Sequence, residues 1–142
     1  MRDLPRKLTV DELAGLFEAR TRFVERLAGL DDPLGRAREV AAALPDEEKK
    51  EVLDAHPAIG AKTSLSARSA AEQGTDEAPE LDELNREYEE RFGFRFVVFV
   101  NGRPKREIVP VLQARMQRTR EEELATAIDE LCAIAEDRWR RS

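Results

Sequence analysis

Apolar residues return at steps of three and four along most of this chain. Leu13, Leu16 and Phe17, then Phe23, Val24, Leu27 and Leu30, keep the spacing of one helical face. The next helical candidates run from Leu34 to Leu44 and from Asp46 to Ala55, with Pro45 and Asp46 as a break and a plausible cap between them. Leu81, Leu84 and Tyr88 mark a further helix that Gly93 should stop. Leu124, Ile128, Leu131 and Ala135 form the stripe of a long final helix. Pro110, in "EIVPVLQAR", sits inside an expected helix and predicts a kink or a late start in it.

Two stretches break the pattern. "FGFRFVVFVNG" is rich in aromatic and β-branched residues and ends in Asn-Gly, a turn signal. Its propensity is that of a strand, yet it has no partner strand, and one extended segment buried among helices fits equally well. The stretch from Ser64 to Pro79 is small, polar and acidic, with a loop at Gly74, Thr75 and Asp76. There is no internal repeat. The expected architecture is all-α, a compact multi-helix bundle carrying one extended FGFRFVVFV segment, with residues 1–142 as a single domain.

Composition narrows the function classes. At 142 residues, a domain buries roughly 70% of its unfolded surface, enough for a core and one pocket. No apolar run approaches the ~20 residues of a membrane span, and "MRDLPRKLTV" lacks the apolar region of a secretory signal. A net charge of −6 without a basic face argues against nucleic-acid binding. An anion could bind only where positive charge is gathered locally. The single cysteine, Cys132, excludes an internal disulfide, reads as a small core residue beside an apolar stripe, and suits a reducing cytoplasm.

The candidate chemistry lies in "DAHPAIGAKTSLSARSAAEQG". His56 is the only histidine, and Pro57 behind it should end the preceding helix near it. An imidazole beside helix C-terminal carbonyls is favoured in its protonated form by ~0.3–1 kcal/mol, and could then act as a general acid. It could equally do no more than cap those carbonyls. One histidine without a cysteine cluster makes no multi-histidine metal site. Ser69 and Glu72 have capping-box spacing, as do Thr9/Glu12 and Thr119/Glu122. A helix starting at Ser69 would also offer free N–H groups to an anion, with Glu72 and Gln73 in its first turn.

These motifs, taken in order, carry a resemblance. "HPAIG", "SAAEQ", "LNREYEERFGFRFVVFVNG" and "EEELATAIDELCAIAEDR" together resemble the 2-oxo-4-hydroxy-4-carboxy-5-ureidoimidazoline (OHCU) decarboxylases of urate breakdown, from about Phe17 to Arg138. The resemblance implies an all-helical homodimeric enzyme without cofactor or metal, which converts that ureidoimidazoline to (S)-allantoin. It implies His56 as the catalytic proton donor, Glu72 as a catalytic and substrate-binding residue, and Pro57 as part of the site wall. It further implies substrate contacts from Ser69, Ala70, Ala71, Gln73, the backbone of Phe96, Val97, Val98, Phe99 and Val100, and an anion clamp at Arg138. Two bland alternatives stand beside these roles: "FVVFV" as plain core and "EDRWRR" as a solvated charged tail. Two functional alternatives also stand: an enzyme of this fold acting on another ureido or imidazole acid, and a non-catalytic helical binding domain.

Overall fold

The computed structural model of the chain describes residues 3–59 and 78–141. Seven helices occur among them: α1 (Val10–Leu16), α2 (Arg22–Leu27), α3 (Pro33–Ala42), α4 (Asp46–Asp54), α5 (Glu80–Phe92), α6 (Lys105–Arg115) and α7 (Arg120–Arg141). No strand is present among the described residues. The all-α expectation is met.

Local chemistry sets most helix ends. Thr9 and Glu12 form a complete capping box at α1, and Thr119 and Glu122 exchange the same two bonds ahead of α7, at 3.0 and 3.1 Å. Asp32 caps α3 by accepting from the Gly35 N–H at 3.3 Å. A Cβ at Gly35 would meet that carboxylate at 2.2 Å, so glycine is what lets the cap close. Gly93 ends α5 in the left-handed conformation, φ +82°, its N–H donating to the Glu89 carbonyl at 2.8 Å.

One expected cap is corrected. Pro45, not Asp46, is the N-cap of α4, and no side chain bonds the helix start there. Proline's fixed φ supplies the break, while Asp46, Glu47 and Glu48 place negative charge against the positive end of the helix dipole. The apolar face that runs from Leu13 to Leu30 is also divided. It folds as α1 and α2, because Glu18 turns left-handed at φ +75° and Thr21 caps the second helix by accepting from the Val24 N–H. Pro110 sits inside α6, which runs on through it.

α7 is the spine. α3 lies along it, α1 and α4 also touch it, and α2 bridges α1, α3 and α4. Its stripe of Ala127, Leu131 and Ala135 is fully buried, with Leu13, Phe17, Phe23 and Leu27 in the same core. Cys132 is buried in this stripe, and burial pushes its thiol up to about 12, as suits a packing residue. α5 packs on α6. Tyr88 on α5 meets Phe92, Phe94 and Phe96 at 4.7, 5.9 and 5.2 Å between ring centres, fixing the start of the irregular chain between α5 and α6.

Candidate active site

α4 ends two residues before His56, as Pro57 requires. The carbonyls left open at that end are taken by Arg95, whose Nη1 donates to the Asp54 carbonyl at 3.2 Å and to the His56 carbonyl at 2.6 Å. The Arg95 backbone N–H donates to Asp54 Oδ1 at 3.0 Å as well. A guanidinium therefore does the capping that the imidazole was a candidate for. The His56 ring is 4% exposed, and its Nε2 is buried with no hydrogen-bond partner among the described residues. A buried polar atom left unsatisfied costs ~1–3 kcal/mol.

That ring borders a cavity of about 130 Å³. Pro57 and Ile59 contribute from beside it, Phe96 to Gly102 from the irregular segment, and Ile134, Asp137, Arg138 and Arg141 from the last turns of α7. Arg138 is buried, although it lies in the most charged stretch of the sequence. Its Nη2 pairs with Glu18 Oε1 at 2.7 Å, and its Nη1 donates to the Leu16 carbonyl at 3.1 Å. The reading of this residue as part of a solvated tail is thus overturned, because packing of α7 against α1 encloses it.

The electrostatics of His56 follow from this setting. Burial, then the positive charges of Arg138 and Arg95, lower its pKa to about 4 against a smaller upward pull from Glu18. The imidazole is neutral at neutral pH. The helix-end carbonyls, which would favour the protonated form, are taken by Arg95, and burial is the largest cause of the downward shift.

The wall from Phe96 to Val100 is held from behind. Phe96, Val97, Val98 and Val100 are buried and Phe99 is half-buried. Arg115 donates to the Val97 carbonyl at 2.8 Å and lies 4.6 Å over the Phe96 ring. Arg115 is itself fixed by Glu123 at 2.8 Å, a fully buried carboxylate that also accepts from Tyr88 Oη at 2.6 Å and pairs with Arg118 at 3.0 Å. Burial and Glu123 push the Tyr88 hydroxyl far above its ordinary pKa. Glu130 accepts from the Phe99 N–H at 3.3 Å, and Arg103 donates to the Phe99 and Val100 carbonyls at 2.6 and 2.9 Å. The Val98 amide and carbonyl have no hydrogen-bond partner among the described residues. Core packing of the side chains and a place on the cavity wall thus coexist in one segment.

Of the residues singled out from the sequence, His56, Pro57, Phe96, Val97, Val98, Phe99, Val100 and Arg138 come together around this one cavity. Ser69, Ala70, Ala71, Glu72 and Gln73 lie outside the described residues. Sequence reasoning missed Glu18, Arg95 and Arg115. Nothing in helical periodicity marks them, since each is charged and looks like part of a solvated face. Among the described residues, no three or more His, Cys, Asp or Glu side chains cluster as metal ligands would.

The family model for OHCU decarboxylase matches residues 2–140. The "Uric acid degradation bifunctional protein PucL" of Bacillus subtilis is 32% identical over 139 residues, 88% of this chain but 28% of that protein. The 2-oxo-4-hydroxy-4-carboxy-5-ureidoimidazoline decarboxylase of Haloferax volcanii is 30% identical over 125 residues, covering 82% of this chain and 74% of its own. A crystal structure of OHCU decarboxylase in the presence of (S)-allantoin superposes with a TM-score of 0.71, covering 89% of this chain and 94% of that one; at 24% identity it speaks to the fold. With a family model matched almost end to end and relatives in a bacterium and an archaeon at 30% identity or more, the chain belongs to the OHCU decarboxylase family.

Proposed function

We propose that this chain is a single-domain enzyme that decarboxylates 2-oxo-4-hydroxy-4-carboxy-5-ureidoimidazoline to (S)-allantoin in urate degradation, without a cofactor. One observation carries the reading. A buried neutral imidazole whose Nε2 has no hydrogen-bond partner among the described residues shares a cavity of about 130 Å³ with the guanidinium of Arg138. Family membership supplies the substrate class.

The chemistry asks little more than this. As CO2 leaves, the electron pair of the breaking C–C bond moves into the neighbouring ring C=N, and that nitrogen takes up a proton. The hydroxyl on the carbon that lost CO2 then becomes a carbonyl, and the adjacent carbon gains a hydrogen. Overall the anion consumes one proton and releases CO2. The substrate is its own electron sink, so the protein has to provide orientation, proton transfer on one face, and donors for ring oxygens and nitrogens. Neutral His56 can accept the hydroxyl proton at Nε2. The imidazolium it becomes is a strong acid in this site, suited to delivering that proton to carbon from a single side. Arg138 holds the anionic ligand, Pro57 shapes the wall, and backbone groups of Phe96, Val97, Val98, Phe99 and Val100 contact the ring. Ser69, Ala70, Ala71, Glu72 and Gln73 complete the polar face, with Glu72 against the hydroxyl or the carboxylate. The active form is a homodimer of the cytoplasm.

The test is stereochemical. Freshly generated substrate, followed by circular dichroism, should yield one hand of allantoin above the racemic background of spontaneous decay. Formation of a racemate at the uncatalysed rate would end the proposal. Glu72→Ala should cut turnover while lowering stability by only ~1 kcal/mol, the worth of a lost cap. If activity per folded molecule stays normal instead, Glu72 is a cap and nothing more.

A further inference from the structure

Glu18 occupies a backbone position that its own side chain does not favour. Its φ of +75° lies in the left-handed region, where glycine and asparagine sit most easily and a long side chain is uncommon. Its carboxylate is nonetheless buried, at 7% exposure, and pairs with Arg138 Nη2 at 2.7 Å. Two residues earlier the Leu16 carbonyl takes Arg138 Nη1 at 3.1 Å. The turn that closes α1 therefore grips two corners of one guanidinium, and the same guanidinium borders the cavity beside His56. A left-handed non-glycine held in place by its surroundings is the kind of local strain that gathers at functional sites.

We propose that Glu18 is a positioning residue for the decarboxylation: it fixes the guanidinium of Arg138 in the cavity before ligand arrives and offsets its charge. This rests on the proposed function. The charge matters for the reaction as well as for orientation. A full unpaired positive charge beside the departing carboxylate would stabilise the ground state more than the transition state, in which that charge has spread into the ring. Paired with Glu18, Arg138 offers aligned N–H donors with part of its charge offset.

Three variants test this: Glu18→Gln, Arg138→Met, and Glu18→Gly combined with Arg138→Met. Glu18→Gln keeps the shape and removes the charge. It should lower kcat/KM at least about tenfold, with the fall in kcat and not in a raised KM. The double variant removes both buried charges and gives the turn the residue its φ prefers. It should regain or exceed wild-type resistance to urea, yet stay inactive, because replacing a buried ion pair with apolar groups is commonly neutral or stabilising. A Glu18→Gln enzyme within twofold of wild type overturns the proposal. So does a double variant as unstable as the single ones, since the pair would then be structural. A readout independent of turnover keeps this separate from the function itself: the Arg138 Nε–H resonance should exchange with solvent faster in Glu18→Gln than in wild type. If the wild type forms no excess of one allantoin hand, the proposed function falls; unchanged Arg138 exchange sinks the positioning role whatever the activity.

Discussion

The Arg95 guanidinium donates to the backbone carbonyl of His56 at 2.6 Å, the shortest of the contacts it makes at the end of α4. With the Asp54 carbonyl at 3.2 Å and Glu89 at 3.1 Å, this one side chain ties α4 to α5 directly behind the imidazole. Arg95→Ala should lower stability by about 2 kcal/mol in urea unfolding, the usual worth of charge-assisted hydrogen bonds. It should also let the His56 pKa rise, because a positive charge is removed. Arg95→Lys should recover little of the stability, since one ammonium cannot hold both carbonyls and the Glu89 carboxylate, which Arg95 reaches with two separate nitrogens. Equal stability of the lysine variant and the wild type would contradict this role.

Replacing the imidazole tests the chemistry directly. His56→Asn should cost ~10²–10⁴ in kcat, the range for a positioned acid–base group, with helix content unchanged by far-ultraviolet circular dichroism. Normal turnover in that variant would leave the reaction without its proton carrier.

The protonation of His56 gives a pH prediction of definite sign. The ring's pKa is lowered from 6.5 to about 4 in the fold, so between those values the unfolded chain binds more protons than the native one. His56 therefore contributes stability above pH 6.5 that is lost as pH falls toward 4, up to about 3 kcal/mol in all. Urea titrations of wild type and His56→Asn at pH 7.5 and pH 5 should show the wild type losing more, by a large part of that figure. In kinetics, kcat/KM should have no acid limb near pH 6.5. A limb there would mean that the ring titrates as a solvated histidine.

The Tyr88–Glu123–Arg115 network should matter to both stability and rate. Arg115→Met leaves the buried Glu123 carboxylate to Arg118 and Tyr88 alone and should cost ~1.5–3 kcal/mol, the worth of a lost charge-assisted hydrogen bond. Tyr88→Phe removes a single hydrogen bond to that carboxylate and should cost ~1.5–3 kcal/mol. Under conditions where Arg115→Met remains folded, its kcat/KM should still drop, because the Val97 carbonyl loses the donor that aims this wall of the cavity. A folded variant with normal kinetics would restrict Arg115 to a structural part.

The sequence by itself determined the helices, most of their ends and the identity of the family. Each of these is a local matter: apolar spacing, a Thr-x-x-Glu box at Thr9 and Thr119, a left-handed glycine at Gly93, a proline after His56. It also singled out His56, Pro57, Arg138 and the Phe96–Val100 segment, which the fold gathers around one cavity. What only the tertiary structure decided was the direction and the charge state of those groups. His56 at a helix end reads equally as a general acid or as a cap until Arg95, thirty-nine residues away in sequence, is seen occupying the carbonyls. Arg138 has a solvated-tail reading beside its anion-clamp one until Glu18, from the far end of the chain, is seen holding it in the interior. Propensity and spacing act over a few residues, whereas desolvation and Coulomb forces act through space between elements that sequence order does not relate. For that reason the same histidine, unchanged in its local sequence, becomes a neutral acceptor of protons only once the helices have packed.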